Sequence, residues 1–145
     1  MSKNPFVGSW TYRSFLNDPD LHLDKQGNPD VKDLVFGYGT IKIEEAEPEE
    51  LKGTIGGSGW QLALHGSMNY GNPGQVRFQG KGVVSGAEWI YDYIGWLVPV
   101  WPNSNDTLQR RALVGSIVRT IPHPGSDGAV NPAGVVASWY AVFKG

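Results

Sequence analysis

Residues 75–99 read QVRFQGKGVVSGAEWIYDYIGWLVP. In the second half Trp89, Tyr91 and Tyr93 share one phase, while Glu88 and Asp92 share the other. Upstream, Phe78 is followed by Gln79 and, two residues on, by Lys81. A side-chain period of two is that of a strand with one face inward. Ser85-Gly86 between the runs is a two-residue turn that leaves room only for an antiparallel return. The stretch is a β-hairpin with runs Gln75–Ser85 and Ala87–Pro99.

Six further runs of the same kind flank it: Gly8–Phe15, Leu34–Glu44, Glu50–Ile55, Gly59–Tyr70, Leu108–Thr120 and Gly134–Lys144. Their boundaries are turn residues, with Gly56-Gly57-Ser58 closing one hairpin and Tyr70-Gly71-Asn72-Pro73-Gly74 the next. Pro99, Pro102, Asn103 and Asn105 separate the sixth run from the seventh. Two longer loops, Leu16–Asp33 and Ile121–Ala133, are rich in Pro, Gly, Asn and Asp, and the first is expected to hold at most a short helical turn in Asn17–Asp33. Eight consecutive, mostly hairpin-linked strands predict an all-β, eight-stranded antiparallel up-and-down barrel spanning 1–145 as one domain, with a two-sheet sandwich as the alternative. Closure is favoured because long strands of similar length then leave no edge. Glycines within the runs, such as Gly80, Gly95 and Gly115, suit strands that coil strongly.

Composition agrees. Of 145 residues, 20 are Gly and 10 are Pro, and 12% are aromatic. Twelve Lys and Arg against 14 Asp and Glu leave a net charge of -2, which excludes a dominant phosphate-binding surface and so a non-specific nucleic-acid binder. The absence of cysteine removes disulfides, thiolate metal sites and cysteine nucleophiles. No apolar leader follows Met1, and no run of about 18 apolar residues exists to cross a bilayer as a helix. The expected location is therefore cytoplasmic, although a mature secreted form would read the same way. Without a leader, the Asn105-Asp106-Thr107 acceptor triplet is a chance match.

Alternation sorts the side chains. Trp10, Tyr12, Phe36, Tyr38, Trp60, Leu62, Leu64, Phe78, Trp89, Tyr91, Tyr93, Leu113, Ile117, Trp139 and Phe143 form the set expected inside. Thr11, Arg13, Gln61, His65, Gln79, Lys81, Asp92, Ser116 and Ser138 belong to the outer set. In the last three runs the outer set also contains Ile90, Ile94, Trp96, Val98, Val114, Val118, Val136, Tyr140 and Val142. Strands apolar on both faces are normally covered on both. The expected cover is a second copy of the chain, making a homo-oligomer, in the first instance a dimer.

The opening Phe6-Val7-Gly8-Ser9-Trp10-Thr11-Tyr12 resembles the Gly-x-Trp start of the first strand in calycins, the lipocalin and avidin group. The resemblance implies an eight-stranded barrel binding a small molecule in its mouth, with Trp10 in the floor and Tyr12 facing the cavity. It also implies that Arg119, from a late strand, lies across Trp10. The chain departs from that pattern in having no disulfide and no clear C-terminal helix.

The motifs for other chemistry fail on spacing. His22, His65 and His123 are scattered, with no metal-ligand spacing, and each is expected to be structural or at the surface. Asp18, Asp20, Asp24, Asp30 and Asp33 miss the EF-hand frame, because Leu23 stands where Gly is needed and no Glu closes the loop. Gly53–Gly59 resembles a phosphate loop, but no helix and no Lys-Ser/Thr follow it. No cofactor and no metal is therefore expected. His65 and Asp92 share a phase and are the pair to examine if the faces are reversed.

The aromatic interior carries the functional expectation. Tyr12, Tyr38, Trp60, Trp89, Tyr91, Tyr93 and Trp139 are expected to line a cavity for a small apolar or aromatic ligand, since buried hydroxyls and a buried Arg119 need partners. One alternative is a cofactor-independent isomerase or cyclase, in the architectural style of allene oxide cyclases. Its candidate catalytic residues are Tyr91, Tyr93 and Arg119. The other is a filled, ligand-free assembly barrel.

Overall fold

The computed structural model describes residues 4–69, 71, 73–98, 100, 109–125 and 127–145. Tyr70, Asn72, Pro99, Pro102, Asn103, Leu108 and the Asn105-Asp106-Thr107 triplet, all used above, lie outside the described residues. Eight strands close on themselves in the order β1-β10-β7-β6-β5-β4-β3-β2, and every neighbouring pair is antiparallel. They are β1 (Gly8–Leu16), β2 (Val35–Glu44), β3 (Glu50–Gly57), β4 (Trp60–Asn69), β5 (Gln75–Val84), β6 (Ala87–Val98), β7 (Ala112–Arg119) and β10 (Val136–Phe143). The up-and-down barrel is therefore the fold, and the sandwich is not. A two-residue pair, β8 (His123–Pro124) with β9 (Val130–Asn131), forms a small hairpin within the second long loop. In the first long loop the one helical feature is a single 3-10 turn, Lys32–Leu34.

Turn chemistry fixes the hairpins. Ser85 and Gly86 have φ of 50° and 82°, the paired positive values of a type I′ turn between Val84 and Ala87. The β3–β4 turn sits one residue later than expected. Gly57 is still paired with Trp60, so Ser58 and Gly59 make the bend.

The core is aromatic. Trp10, Tyr12, Phe78, Tyr91, Tyr93 and Trp139 are buried, while Phe36, Trp60, Trp89 and Phe143 are half-buried against them. Trp139 lies across the junction of β6 and β7, where Gly95 faces Gly115. Its indole N–H is shared between the carbonyls of Ile94 at 3.1 Å and Ser116 at 3.0 Å. A Cβ on Gly95 would stand 2.6 Å from Trp139 Cζ2, and one on Gly115 would overlap the Ile94 carbonyl and sit 2.6 Å from Gly95 Cα. Gly95 makes room for the ring, and Gly115 lets β6 and β7 approach closely.

Tyr38 is a correction. It points outward, 58% exposed, with the Arg13 guanidinium 5.6 Å from its ring centroid. Ile41 and Ile43 face inward, so Gly37 and Gly39 share their phase and Tyr38 does not. Phe36 turns back inward because the β1–β2 register slips between Ser14, which pairs with Gly37, and Phe15, which pairs with Val35. One extra residue at a bulge exchanges the two faces.

Arg119 is another. It lies at the opposite end from Trp10, over Phe36 at 4.8 Å and Tyr91 at 5.8 Å. At the Trp10 end, Arg111 covers Phe143 at 3.9 Å, and Phe143 in turn packs edge-on against Trp10. Trp10 bonds the Phe6 carbonyl through its N–H at 2.9 Å and closes the floor with it.

Outside, β6, β7 and β10 present cross-strand rows of Ile94–Ser116–Ser138 and Trp96–Val114–Tyr140. Trp96, Val114, Val136 and Tyr140 are exposed. An open groove of about 610 Å³ runs along this outer wall, bordered by Gly66, Arg77, Asp92, Ile94, Ser116, Val118 and Val136.

Because the clash at Gly115 is with backbone, Gly115→Ala is expected to destabilise the fold by about 2 kcal/mol through overpacking. Thermal unfolding followed by circular dichroism should show a midpoint lower by roughly 4–8 °C at this chain length. An unchanged midpoint would mean that the β6–β7 junction can open without cost.

Candidate functional site

The end of the barrel opposite Trp10 holds a partly open cavity of about 140 Å³. Its walls are Tyr12, Phe36, Gly37, Trp60, Trp89, Tyr91, Tyr93 and Ile117, drawn from β1, β2, β4, β6 and β7. Five of the seven residues expected to line a cavity are there: Tyr12, Trp60, Trp89, Tyr91 and Tyr93. Tyr38 is outside the barrel, and Trp139 lies below, in edge-on contact with Tyr93 at 5.7 Å. Phe36 and Ile117 stood in the inward set without being assigned to the site. Gly37 leaves no side-chain signal at all. The larger outer groove is open along one flank of the sheet, whereas the smaller cavity is ringed by aromatic side chains. Small-molecule pockets are lined mainly by apolar and aromatic side chains, and the smaller cavity is the one so lined.

Two polar chains cross this end. Tyr12 donates to Ser14 Oγ at 2.8 Å and Ser14 donates to the Gly37 carbonyl at 3.3 Å, while the Tyr93 ring packs edge-on against Tyr12 at 6.1 Å. Burial pushes the Tyr12 hydroxyl up to about 12 and the Tyr93 hydroxyl well above the ordinary tyrosine range. Both are neutral donors at neutral pH.

The second chain is built on His123. The β8–β9 hairpin, with Pro122 and Pro124 on either side of it, buries the imidazole and stacks it on Trp89 at 4.1 Å. His123 Nδ1 donates to the Pro124 carbonyl at 2.9 Å, which leaves Nε2 of the neutral ring as an acceptor. Tyr91 therefore donates its proton to Nε2, at 2.5 Å, and its oxygen accepts from Arg119 Nε at 3.1 Å. Burial lowers the His123 pKa, and the Arg119 charge acts in the same direction. Burial likewise raises the Tyr91 pKa, opposed by Arg119. The resulting unit has a polarised hydroxyl in the cavity wall, a neutral base behind it and a cation beside it. Arg119 also donates to the Pro132 carbonyl at 3.2 Å, and no carboxylate lies within ion-pair distance among the described residues. His123 is not at the surface, and nothing in its loop's periodicity marked it. The one local signal was Pro122-His123-Pro124, two prolines fixing an extended backbone.

The other histidines and the acidic loop stay apart from this site. His65 is exposed on the outer wall, 3.3 Å from the Glu50 carboxylate, and does not meet Asp92. Asp92 instead accepts from Gln79 at 3.1 Å and from Thr120. His22 pairs with Asp18 at 2.8 Å within the loop. The carboxylates of Asp18, Asp24 and Asp30 accept backbone N–H groups of their own turns. Among the described residues no three metal-ligating side chains gather. No family model, curated protein or solved structure matches this chain.

The pKa directions set two pH limits. A tyrosine raised by burial stabilises the fold fully below its ordinary pKa of 10.0, and the contribution of Tyr12 is lost as pH rises from there through about 12. A histidine lowered by burial acts on the other side, and its contribution is lost as pH falls below the ordinary 6.5. Nitrogen-15 NMR at pH 7 should show His123 neutral with the proton on Nδ1. Denaturant unfolding should lose free energy above pH 10, and Tyr12→Phe should flatten that alkaline limb.

Proposed function

We propose that the protein is a small-molecule binding barrel holding a compact apolar or aromatic ligand in the mouth cavity. The aromatic-lined space of about 140 Å³ among Tyr12, Phe36, Trp60, Trp89, Tyr91 and Tyr93, open at the barrel mouth, carries this conclusion. An apolar protein cavity of about 150 Å³ admits one benzene-sized ring, which sets the ligand's scale. The calycin-like character read from Gly8-Ser9-Trp10 has support in the up-and-down strand order and in the fully buried Trp10. A panel of single-ring compounds titrated against tryptophan fluorescence should give saturable changes. Gly37→Val should weaken them at least tenfold, because the new methyl groups enter the cavity. A Cβ at Gly37 meets only ordinary contacts, Ser14 Oγ at 3.4 Å and Tyr12 Cε2 at 3.6 Å, so the fold should survive the change. Saturable binding unaffected by Gly37→Val would place the ligand elsewhere.

The second reading, a cofactor-independent isomerase or cyclase, is favoured by one observation. Tyr91 donates its hydroxyl proton to neutral His123 while its oxygen accepts from Arg119, which would stabilise a phenolate. Tyr91→Phe keeps the ring and removes only the hydroxyl. Turnover lost with binding retained would support catalysis, whereas unchanged turnover would remove Tyr91 from the chemistry.

Self-association is proposed through the outer face of β6, β7 and β10, with a second copy of the chain as the occupant. That face carries both protruding rings, Trp96 and Tyr140, and a groove lined by Ile94, Ser116, Val118 and Val136 two residues further along the same strands. Knobs and hole on one surface are what an isologous two-fold contact requires. Sedimentation equilibrium should show a dimer that Val114→Lys returns to monomer. A wild-type monomer at high micromolar concentration would rule the contact out.

A further inference from the structure

We infer that the β8–β9 hairpin is an acid-released latch on the barrel mouth, held in place by the imidazole of His123. Among the described residues of 121–133, His123 alone is buried. Its neighbours Pro122 and Pro124 are exposed, and so are Gly128, Ala129 and Val130 towards the tip. The hairpin's own ladder is two residues long, with His123 opposite Asn131 and Pro124 opposite Val130. A segment that buries so little opens readily unless something pins it. The pins lie on the cavity wall. His123 stacks on Trp89 at 4.1 Å and its Nε2 accepts from Tyr91, and both of those residues line the cavity. A second tie runs from Arg119 Nη1 to the Pro132 carbonyl at 3.2 Å.

The Tyr91 tie works only while Nε2 is unprotonated. Nδ1 is committed to the Pro124 carbonyl at 2.9 Å, so a second proton must go on Nε2. The imidazolium would then confront a hydroxyl whose oxygen already accepts from Arg119 Nε at 3.1 Å. Two cations would share that oxygen, and the Tyr91 proton would have to turn away from both. Nothing anionic offsets them. Tyr91 of β6 and Arg119 of β7 are the titratable groups on the ring, while Glu88 and Asp92 alternate with Trp89 and Tyr91 and point away. Within the hairpin, the Asp127 carboxylate accepts the Ala129 N–H of its own turn at 3.0 Å. No carboxylate stands within ion-pair distance of His123 among the described residues. The Trp89 face attracts a cation, and by itself that stack would hold the charged ring. It is opposed by burial and by the Arg119 charge, which both lower the His123 pKa. Docking therefore selects the neutral ring and is lost as pH falls below the ordinary 6.5. Release would expose Trp89 and Tyr91, so one ring would govern access to the cavity. That consequence rests on the cavity being the ligand site, whereas the latch does not.

The chain has no cysteine, so nitroxide labels can be placed through Ala129→Cys near the hairpin tip and Ser58→Cys in the exposed β3–β4 turn. Their distance reports docking of the hairpin, and nitrogen-15 NMR reports the protonation of His123. From about pH 8 down to about pH 4, the distance distribution should broaden towards longer values. Its midpoint should lie below 6.5 and coincide with the His123 titration, with circular dichroism unchanged. His123→Phe keeps a ring against Trp89 and cannot be protonated, so its distribution should be the same throughout. A wild-type distribution that stays put while His123 titrates would overturn the inference, as would an acid response surviving in His123→Phe. So would a His123 that stays neutral until the whole fold is lost. Should His123→Phe fail to fold, the two wild-type midpoints decide, because separate midpoints would overturn the latch. Fluorobenzene, followed by fluorine-19 NMR, tests the consequence separately, and its affinity should fall at least about tenfold across the same midpoint. Constant affinity while the labels move would overturn control of the cavity. No fluorobenzene binding at any pH would overturn the cavity reading and leave the latch standing on the label measurement.

Discussion

Trp139 is the piece on which the interior is stacked. Its N–H ties β6 to β7 from inside, through carbonyls whose own residues point their side chains outward. The ring reaches them because Gly95 has no side chain to meet it, while Gly115 opposite lets the two backbones come close. On this layer rest Phe78 and Tyr93, stacked on each other at 4.6 Å and both edge-on to Trp139. Tyr12 stands against Tyr93 at 6.1 Å and Trp60 at 6.5 Å. Eight strands enclose just enough room for side chains or one small ligand. Rings fill the floor and the middle, and the remaining volume collects above Tyr93, at the mouth.

The mouth keeps polar atoms that an apolar core would not tolerate unless they were paired. The Tyr12–Ser14–Gly37 chain and the Arg119–Tyr91–His123 chain enter it from different strands, each pairing donors and acceptors of its own members. Each hydroxyl is held neutral by burial, so the site presents hydrogen-bonding capacity without anionic charge. Arg119 supplies a cation beside it, spread over the faces of Phe36 and Tyr91. Together they produce an apolar pocket with an electropositive edge.

The barrel architecture and most of its inward face were legible in the sequence because strand periodicity is local. Trp89, Tyr91 and Tyr93 alternate with polar or aliphatic neighbours, and Gly, Pro and Asn mark the bends. A two-residue period assigns a face to each position without any knowledge of the partner strand. The same reasoning placed Ile94, Trp96, Val114, Val118, Val136 and Tyr140 on the outer wall, where they are. Five of the cavity residues followed directly from that alternation.

Tertiary structure decided the rest. Tyr38 faces outward in the phase opposite to Ile41 and Ile43, and Phe36 parts from it because the β1–β2 register slips at Ser14/Phe15, a bulge being a property of two strands together. Arg119 reached Phe36 and Tyr91, at the end away from Trp10, because strand direction and register in β7 set its height in the barrel. His123 joined the site through a two-residue ladder between β8 and β9, too short to leave a period in the sequence. The cavity itself has no sequence signature. It is the volume left over after rings from several strands have packed, and only the closed barrel fixes how those rings meet.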